Sequence, residues 1–321
     1  MNGIFSALVT VFGIMFLGLF VERRRILAPT MALCLNQFVY WVSLPAMLFD
    51  QMCSIPLTSE TGPYIWGTLI ASILCYAAVY LYFSGFWKTH RPESTIRSLS
   101  SVFPNAGFFG LPFVFMVFPD NETAATAAML GALLYSGVLL IADATLDMLH
   151  ASGEKRRSTA RLLLGELIHN PMLVAAALGI CAGLSGLHLP RAVMNIADML
   201  GSTAAPCALF GMGMVLSAQL SGSQSGRGGI SRKNLCIISV SKLILQPLLT
   251  FLVLLIAGCS GLTLAVGVIM SAMPTGTLVY TLGERYQACP AEASMTVIMT
   301  TLLSLVSLPL VMYVLQLSGI V

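Results

Sequence analysis

Two short stretches place proline, glycine and polar side chains inside otherwise apolar sequence. The first is Ser101-Val-Phe-Pro-Asn-Ala-Gly-Phe-Phe-Gly-Leu-Pro112, and the second is Ser271-Ala-Met-Pro-Thr-Gly-Thr277. Aligned on their serines, both read Ser-x-x-Pro followed by a polar residue and a glycine. Proline removes a backbone donor, and glycine adopts dihedral angles that other residues avoid. Each stretch therefore predicts a break in a helix.

Anion binding is the chemistry that two such breaks could perform. The N-terminal end of a half-helix presents free N–H groups and roughly half a positive charge, which attracts an anion. We expect Asn105 and either Thr275 or Thr277 to donate hydrogen bonds to a carboxylate. The positions expected to shape the backbone are Pro104, Gly107, Pro274 and Gly276. The alternative is that the prolines only kink two helices.

Three ionisable residues inside apolar segments are further candidates, for coupling or for a charge pair: Asp143, Asp198 and Lys242. A charge at the bilayer centre costs about 2.5–3.5 kcal/mol on insertion scales, so it is a functional hypothesis by default. Asp198 could act as a proton-linked carboxylate. Lys242 could pair with an acidic group, attract an anion, or extend its ammonium group to the interface. Asp143 could instead belong to a solvated helix end.

The composition sets the class of protein. The chain has 321 residues, of which 57% are hydrophobic and 9% charged, and its mean hydropathy is +0.88. Soluble domains carry roughly a quarter charged residues, so we predict an all-α polytopic membrane protein. The eight cysteines are scattered without a C-x-x-C pair, which favours small buried hydrophobic residues over a metal site. H-E-x-x-H, P-loop and G-x-S-x-G motifs are missing. We therefore expect no enzyme, cofactor, metal or nucleic-acid partner.

Ten segments are apolar enough for spans of about 20 residues. They lie near 3–21, 31–52, 63–87, 95–118, 123–148, 162–184, 191–218, 234–258, 261–283 and 291–318. We divide the chain into a first five-helix repeat (1–150), a cytoplasmic connection (151–161) and a second five-helix repeat (162–321). An odd number of spans per repeat inverts the second repeat relative to the first. The broken helices would be the fourth and the ninth.

The distribution of basic residues predicts the orientation. Lys and Arg, including Lys88, Arg91 and Arg97, concentrate in the odd-numbered connections, whereas the even-numbered connections hold Arg191 alone. The positive-inside rule then places the odd connections in the cytoplasm and both termini outside. A second similarity between the two halves of the chain supports the repeat, because Pro45-Ala-Met-Leu-Phe49 is similar to Pro206-Cys-Ala-Leu-Phe210.

The sequence resembles the auxin efflux carrier family, particularly its bacterial malonate or malate permeases. The motifs that carry the resemblance are Leu44-Pro-Ala-Met-Leu-Phe49, Phe103 to Pro112, His169-Asn-Pro171, Pro206 to Gly213, Met273-Pro-Thr-Gly-Thr277 and Glu284-Arg-Tyr286. The resemblance implies an inverted repeat with helices 4 and 9 crossing at their prolines. It also implies a scaffold of helices 1, 2, 6 and 7 and a transport domain of helices 3–5 and 8–10, which carries a small organic anion by an elevator motion.

The expected function is thus secondary transport of small organic anions across the plasma membrane. Symport with H+ or Na+ and uniport both stay open, and a homodimer is expected from analogy with other elevator carriers. One alternative is a sodium- or proton-coupled carrier of the bile-acid-symporter type, which would want carboxylates at the crossing. A second is a non-transporting membrane sensor on a transporter scaffold, and a third is a channel.

Overall fold

The structure is a computed structural model, and it describes residues 2–28, 30–53, 58–86, 89–119, 121–150, 170–185, 189–222 and 231–321. These residues form helices joined by turns, together with one isolated pair of extended residues. The cytoplasmic connection predicted at 151–161 and the first part of the span predicted at 162–184 lie outside the described residues.

We number the helices in chain order. They are α1 (Asn2–Arg23), α2 (Met31–Cys53), α3 (Thr61–Leu81), α4 (Arg91–Val102), α5 (Ala106–Val117), α6 (Glu122–His150), α7 (Pro171–Leu184), α8 (Arg191–Ser202), α9 (Ala204–Gly222), α10 (Arg232–Ile256), α11 (Gly261–Ser271), α12 (Leu278–Arg285) and α13 (Pro290–Leu317). Wider π-helical turns occur at Val39–Ser43, Tyr82–Phe86, Ala106–Gly110 and Ser241–Leu245.

Seven helical stretches of the described chain are long and apolar enough to cross a bilayer, with α8 and α9 counted as one stretch. Three shorter apolar helices, α5, α7 and α11, fall within the remaining predicted spans. Spans 4 and 9 each divide into two short helices, so neither half reaches spanning length alone. The all-helical membrane class is therefore confirmed, while ten spans in an inverted repeat remain a prediction.

Helix starts follow from local sequence. At α7, the Asn170 side chain accepts hydrogen bonds from the backbone N–H groups of Met172 (3.0 Å) and Leu173 (3.4 Å), and Pro171 occupies the first helical position. Proline fits there because its missing N–H would have no intrahelical partner. At α10, Ser231 caps the backbone N–H of Asn234 in the same way (3.4 Å).

The helices cluster into two compact units, each built from several chain segments. The first unit consists of Met1–Thr58, Gly107–Leu133 and Gly165–Ser221. Glycines bring its helices close together: a Cβ on Gly18 of α1 would overlap the carbonyl of Phe210 in α9. A Cβ on Gly179 of α7 would lie 2.7 Å from the carbonyl oxygen of Phe49 in α2. Small residues permit such close backbone approach in membrane helix pairs.

The second unit consists of Ser59–Ala106, Leu134–Leu164 and Gly222–Val321. Its most buried helix, α4, is rich in hydroxyl side chains, and every residue from Ser94 to Val102 is buried. Several hydroxyls donate to the carbonyl four residues earlier, including Ser98 to Ser94 (2.7 Å) and Ser100 to Ile96 (2.8 Å). This local bonding satisfies most hydroxyls of a buried polar helix, whereas the hydroxyl of Ser94 has no hydrogen-bond partner within the described residues.

Candidate binding site at the helix crossing

Both predicted breaks are present, and they meet within the second unit. After α4 the chain is extended through Phe103–Asn105 before helix resumes at Ala106, and after α11 it is non-helical from Ala272 to Thr277. Pro104 and Thr275 form an isolated antiparallel bridge. The two interrupted helices therefore cross where their backbones are extended.

Two backbone hydrogen bonds hold the bridge. The N–H of Asn105 donates to the carbonyl of Pro274 (2.7 Å), and the N–H of Gly276 donates to the carbonyl of Phe103 (3.0 Å). Pro104 and Thr275 thus face each other as a non-hydrogen-bonded antiparallel pair, a position that needs no donor from either residue. This explains why proline is accommodated at the centre of the crossing.

The break would orphan the last three carbonyls of α4 and the carbonyl of Phe103, because no helical residue follows to donate to them. The last intrahelical bond runs from the N–H of Phe103 to Leu99 (2.8 Å). Each of the next four carbonyls has a donor from elsewhere in the unit. The donors are Thr275 Oγ1 to Ser100 (2.7 Å), Cys75 Sγ to Ser101 (4.0 Å), Gln246 Nε2 to Val102 (2.7 Å) and the N–H of Gly276 to Phe103 (3.0 Å).

The structure separates the two candidate threonines. Thr275 is fully buried; its hydroxyl donates to Ser100, and its backbone N–H donates to Thr300 Oγ1 (3.1 Å). Its donors are engaged in holding the crossing. Thr277 is half-buried, immediately precedes α12, and does not cap that helix with its side chain. Of the two, Thr277 is better placed to donate to a ligand.

Asn105 is 4% exposed and lies immediately before the first helical residue of α5. Asparagine is favoured at that position because its side chain can bond the first helical N–H groups. Its backbone N–H is already engaged by Pro274. A ligand contact at Asn105 would therefore involve the side-chain amide.

The glycines expected to shape the backbone differ in what surrounds them. A Cβ on Gly276 would lie 2.5 Å from Cε1 and 2.7 Å from Cδ1 of the Phe103 ring. A Cβ on Gly107, in the first unit, would make ordinary contacts of 3.5 Å with Leu44 and 3.7 Å with Met172. Steric crowding requires glycine at Gly276 and does not require it at Gly107.

Lys242 lies in the π-helical turn of α10 and is completely buried. Its Nζ donates to Gln246 Oε1 (2.5 Å) and to the carbonyl of Ser271 at the end of α11 (2.6 Å). The side chain is therefore directed into the protein and not toward the interface. No salt bridge to Lys242 occurs within the described residues.

Asp143, in the second unit, forms a salt bridge with Arg285 (3.2 Å) and accepts a hydrogen bond from the phenol of Tyr286 (2.8 Å). The same phenol also donates to Asp147 (2.5 Å). Burial, followed by these two hydrogen bonds to carboxylates, raises the pKa of Tyr286 well above its usual value. Asp143 is therefore a member of a hydrogen-bonded cluster at the end of α12.

Asp198 belongs to the first unit. It is exposed and lines a cavity of 630 Å³ together with Asp50 and Glu122. Three carboxylates in one cavity create a negative potential that disfavours an anionic guest. The described residues contain no group of three His, Cys, Asp or Glu side chains arranged to hold a metal ion.

One buried ion pair was missed by sequence reasoning, which treated Arg97 as a residue of a cytoplasmic connection. The structure corrects this: Arg97 lies in the second turn of α4 and is 9% exposed. Its guanidinium bonds Glu292 of α13 at 2.8 and 2.9 Å, and it lies over the Phe83 ring at 5.1 Å from the centroid. The charge bias that assigns orientation does not distinguish a loop arginine from one buried by a distant partner.

The long apolar helices define a multi-pass membrane protein. Residues 3–312 match the sequence model of a family described as "Membrane transport protein". The chain belongs to this family, the auxin efflux carrier family, which confirms the resemblance seen in the sequence. The family consists of transporters, which argues against an enzyme.

Two relatives align over nearly the whole chain. One, named "Putative malonate transporter", from Rhizobium meliloti, is 25% identical over 311 residues, covering 95% of this chain and 93% of the relative. The other, named "Uncharacterized transporter", from Methanothermobacter thermautotrophicus, is 23% identical over 316 residues, covering 95% of this chain and 96% of the relative.

Proposed function

We propose that the protein is a secondary transporter of small organic anions, namely carboxylates such as malonate and malate or auxin-like monocarboxylates, and that it works by elevator-type alternating access. The single observation that carries this proposal is the antiparallel bridge between Pro104 and Thr275 at the centre of two interrupted helices. Matched interruptions in the two halves of a membrane chain point to a transporter's binding site. The name of the Rhizobium meliloti relative supports a dicarboxylate such as malonate.

The chemistry beside the bridge suits a carboxylate. Helix restarts at Ala106 and at Leu278, and the N-terminal end of a helix carries a partial positive charge. At α12 the N–H groups of Val279 and Tyr280 already donate to the carbonyls of Gly276 (3.2 Å) and Thr277 (3.1 Å). Asn105 and Thr277 stand immediately before these two starts. A carboxylate bound there would receive side-chain and backbone donors and the favourable helix dipole without a fixed cation in contact. Thr275 and Gly276 would support this site by holding the backbone.

Within this proposal, predicted helices 1, 2, 6 and 7 form the scaffold, and predicted helices 3–5 and 8–10 carry the anion. Support comes from the composition of the first unit, which joins α1 and α2 of the first half of the chain with α7, α8 and α9 of the second. The second unit likewise joins α3 and α4 with α10 to α13. This grouping parallels the division that the family resemblance implies, except that residues 107–133, which the resemblance assigns to the transport domain, cluster with the first unit.

We further propose a location in the plasma membrane with both termini outside, and a homodimer as the assembly. The charge bias of the connections supports the orientation. Cysteine-accessibility labelling in intact cells would test it, with single cysteines in the 23–31 and 53–61 connections. The first connection should be protected from an impermeant reagent and the second should be labelled.

The experiment that tests the function is counterflow in proteoliposomes with labelled malonate, malate and an aromatic monocarboxylate. We expect saturable exchange of at least one of them, and a loss of at least about tenfold in apparent affinity in Asn105→Ala, since a good hydrogen bond to a charged group contributes about 1.5–3 kcal/mol. The matched control is Asn170→Ala, which also removes an asparagine at a helix start, at α7. Flux of none of the carboxylates in the wild type would refute the proposal.

A further inference from the structure

The C-terminal ends of both interrupted helices converge on one side-chain pair in α10. Lys242 Nζ donates to the carbonyl of Ser271, at the end of α11 (2.6 Å). Gln246 Nε2 donates to the carbonyl of Val102, at the end of α4 (2.7 Å). The two side chains are joined to each other, because Lys242 Nζ also donates to Gln246 Oε1 (2.5 Å). Both are fully buried.

This arrangement calls for a positive charge. The C-terminal end of a helix carries roughly half a negative charge. One end contacts the ammonium group directly, and the other is linked to it through the polarised amide of Gln246. The two half charges sum to about one unit, which a single ammonium balances. Within the described residues no salt bridge supplies a competing carboxylate.

A buried ammonium group is costly unless it is paired or well hydrogen-bonded. Because the two hydrogen bonds that Lys242 donates run to the carbonyl of Ser271 and to Gln246 Oε1, its charge serves the crossing itself. Lys242 thus stands where a dissociable cation would otherwise be needed to hold two helix C-termini together.

We propose that Lys242 is the resident cation of the crossing, so that the protein binds no exchangeable inorganic cation at this place. The inference rests on the proposed transport function and adds to it the group that balances the partial negative charge of the two helix C-termini at the crossing. It makes Lys242 and Gln246 positioning residues for the anion site. It also means that any ion coupling must be carried elsewhere in the molecule.

The test is thermal unfolding of the purified full-length protein in detergent, at constant ionic strength, in sodium, potassium, methylammonium, ethylammonium or choline chloride. The wild type should show no stabilisation by sodium or potassium over choline that Lys242→Ala lacks. Lys242→Ala removes the ammonium and leaves space beside two carbonyl oxygens. Its midpoint should fall by at least about 5 °C in choline, since breaking a buried charged pairing is strongly destabilising. Methylammonium or ethylammonium should restore at least half of that loss.

Two further variants keep the test decisive. Lys242→Met fills the space without a charge, so it should be destabilised in choline and should not respond to alkylammonium ions. Lys233→Ala removes an exposed lysine from the first turn of the same helix and should behave as the wild type in every salt. If Lys242→Ala cannot be purified, the wild-type salt series and the variant Gln246→Ala still test the inference. The unfolding midpoint of Gln246→Ala should lie below that of the wild type by the same amount in all five salts.

The inference is overturned if sodium stabilises the wild type relative to choline and Lys242→Ala loses that stabilisation. So would a Lys242→Met variant as stable as the wild type, or a Lys242→Ala variant indifferent to alkylammonium ions. These measurements use no transported substrate. Failure of the resident-cation inference is therefore separate from failure of carboxylate counterflow, which tests the transport function.

Discussion

Gly276→Ala is the substitution that most directly tests the crossing. The added methyl group would lie 2.5 Å from Cε1 and 2.7 Å from Cδ1 of Phe103, and 3.1 Å from the carbonyl oxygen of Pro104. Phe103 is itself buried, at 7% exposure, so its ring has little room to turn away. Overpacking of this kind costs about 1–3 kcal/mol. The hydrogen bond from Gly276 to Phe103 would be strained at the same time.

The matched control is Gly107→Ala, whose methyl group would meet its nearest neighbours at 3.5 and 3.7 Å. Those are ordinary van der Waals distances, and Gly→Ala at a compatible position stabilises by about 0.4–1 kcal/mol. The two variants lie in the two matched motifs and differ by the same single methyl group. Opposite effects are therefore expected from the same chemical change.

The assay is the midpoint of thermal unfolding in detergent, followed by carboxylate counterflow. Gly276→Ala should lower the midpoint by several degrees and reduce transport, whereas Gly107→Ala should leave the midpoint unchanged or slightly raised. Adding Phe103→Leu to Gly276→Ala should recover part of the loss, as a double-mutant cycle would measure. Equal midpoints for the two alanine variants would refute the steric account of the crossing.

Three further outcomes follow from the charged and titrating groups. Glu292→Gln should lower the free energy of unfolding by up to about 3–5 kcal/mol, because it leaves the buried guanidinium of Arg97 with only the partly exposed carboxylate of Glu93 at 3.3 Å; Arg97→Met with Glu292→Leu should recover much of this in urea unfolding, and no recovery would contradict the pairing. Asp143→Asn should cost less than about 1 kcal/mol, since Arg285 is 54% exposed in that salt bridge; a larger loss would show that the pair is desolvated. Tyr286 keeps its proton in the folded state at pH values where the unfolded phenol, with its ordinary pKa near 10, has ionised. Stability should therefore fall as pH rises above about 10, and less steeply in Tyr286→Phe; identical pH profiles would count against the raised pKa.

The breaks themselves could be predicted because their causes are local. Pro104 and Pro274 remove donors within the segments that they interrupt, and the repeated Ser-x-x-Pro pattern indicates that the two segments correspond. That the interruptions pair as extended backbone also fits the expectation that such segments are buried in protein. These inferences need only the residues at the break.

The partners of the break could not be predicted, because they are distant in sequence. The carbonyl of Val102 accepts a hydrogen bond from the side chain of Gln246, and the hydroxyl of Thr275 donates to the carbonyl of Ser100. Nothing in the segment Met273 to Thr277 distinguishes a threonine that holds backbone from one that faces a ligand. The pairing of Arg97 with Glu292 could not be predicted for the same reason, since a salt bridge between distant residues does not affect hydrophobic periodicity.

The polar character of α4 has a consequence for how the protein is made. A segment with a buried arginine and several hydroxyl side chains gains little from lipid, where an arginine at the helix centre costs about 2.5–3.5 kcal/mol on insertion scales. Glu93 lies 3.3 Å from Arg97 and is made just before it, but Glu292, the closer and more deeply buried carboxylate, is synthesised 195 residues later. At about 5–20 residues per second, the ribosome delivers it roughly 10 to 40 seconds after the arginine. Throughout that interval α4 must be sheltered by the insertion machinery or wait at the membrane surface, so the crossing is completed only when the last helix has been made.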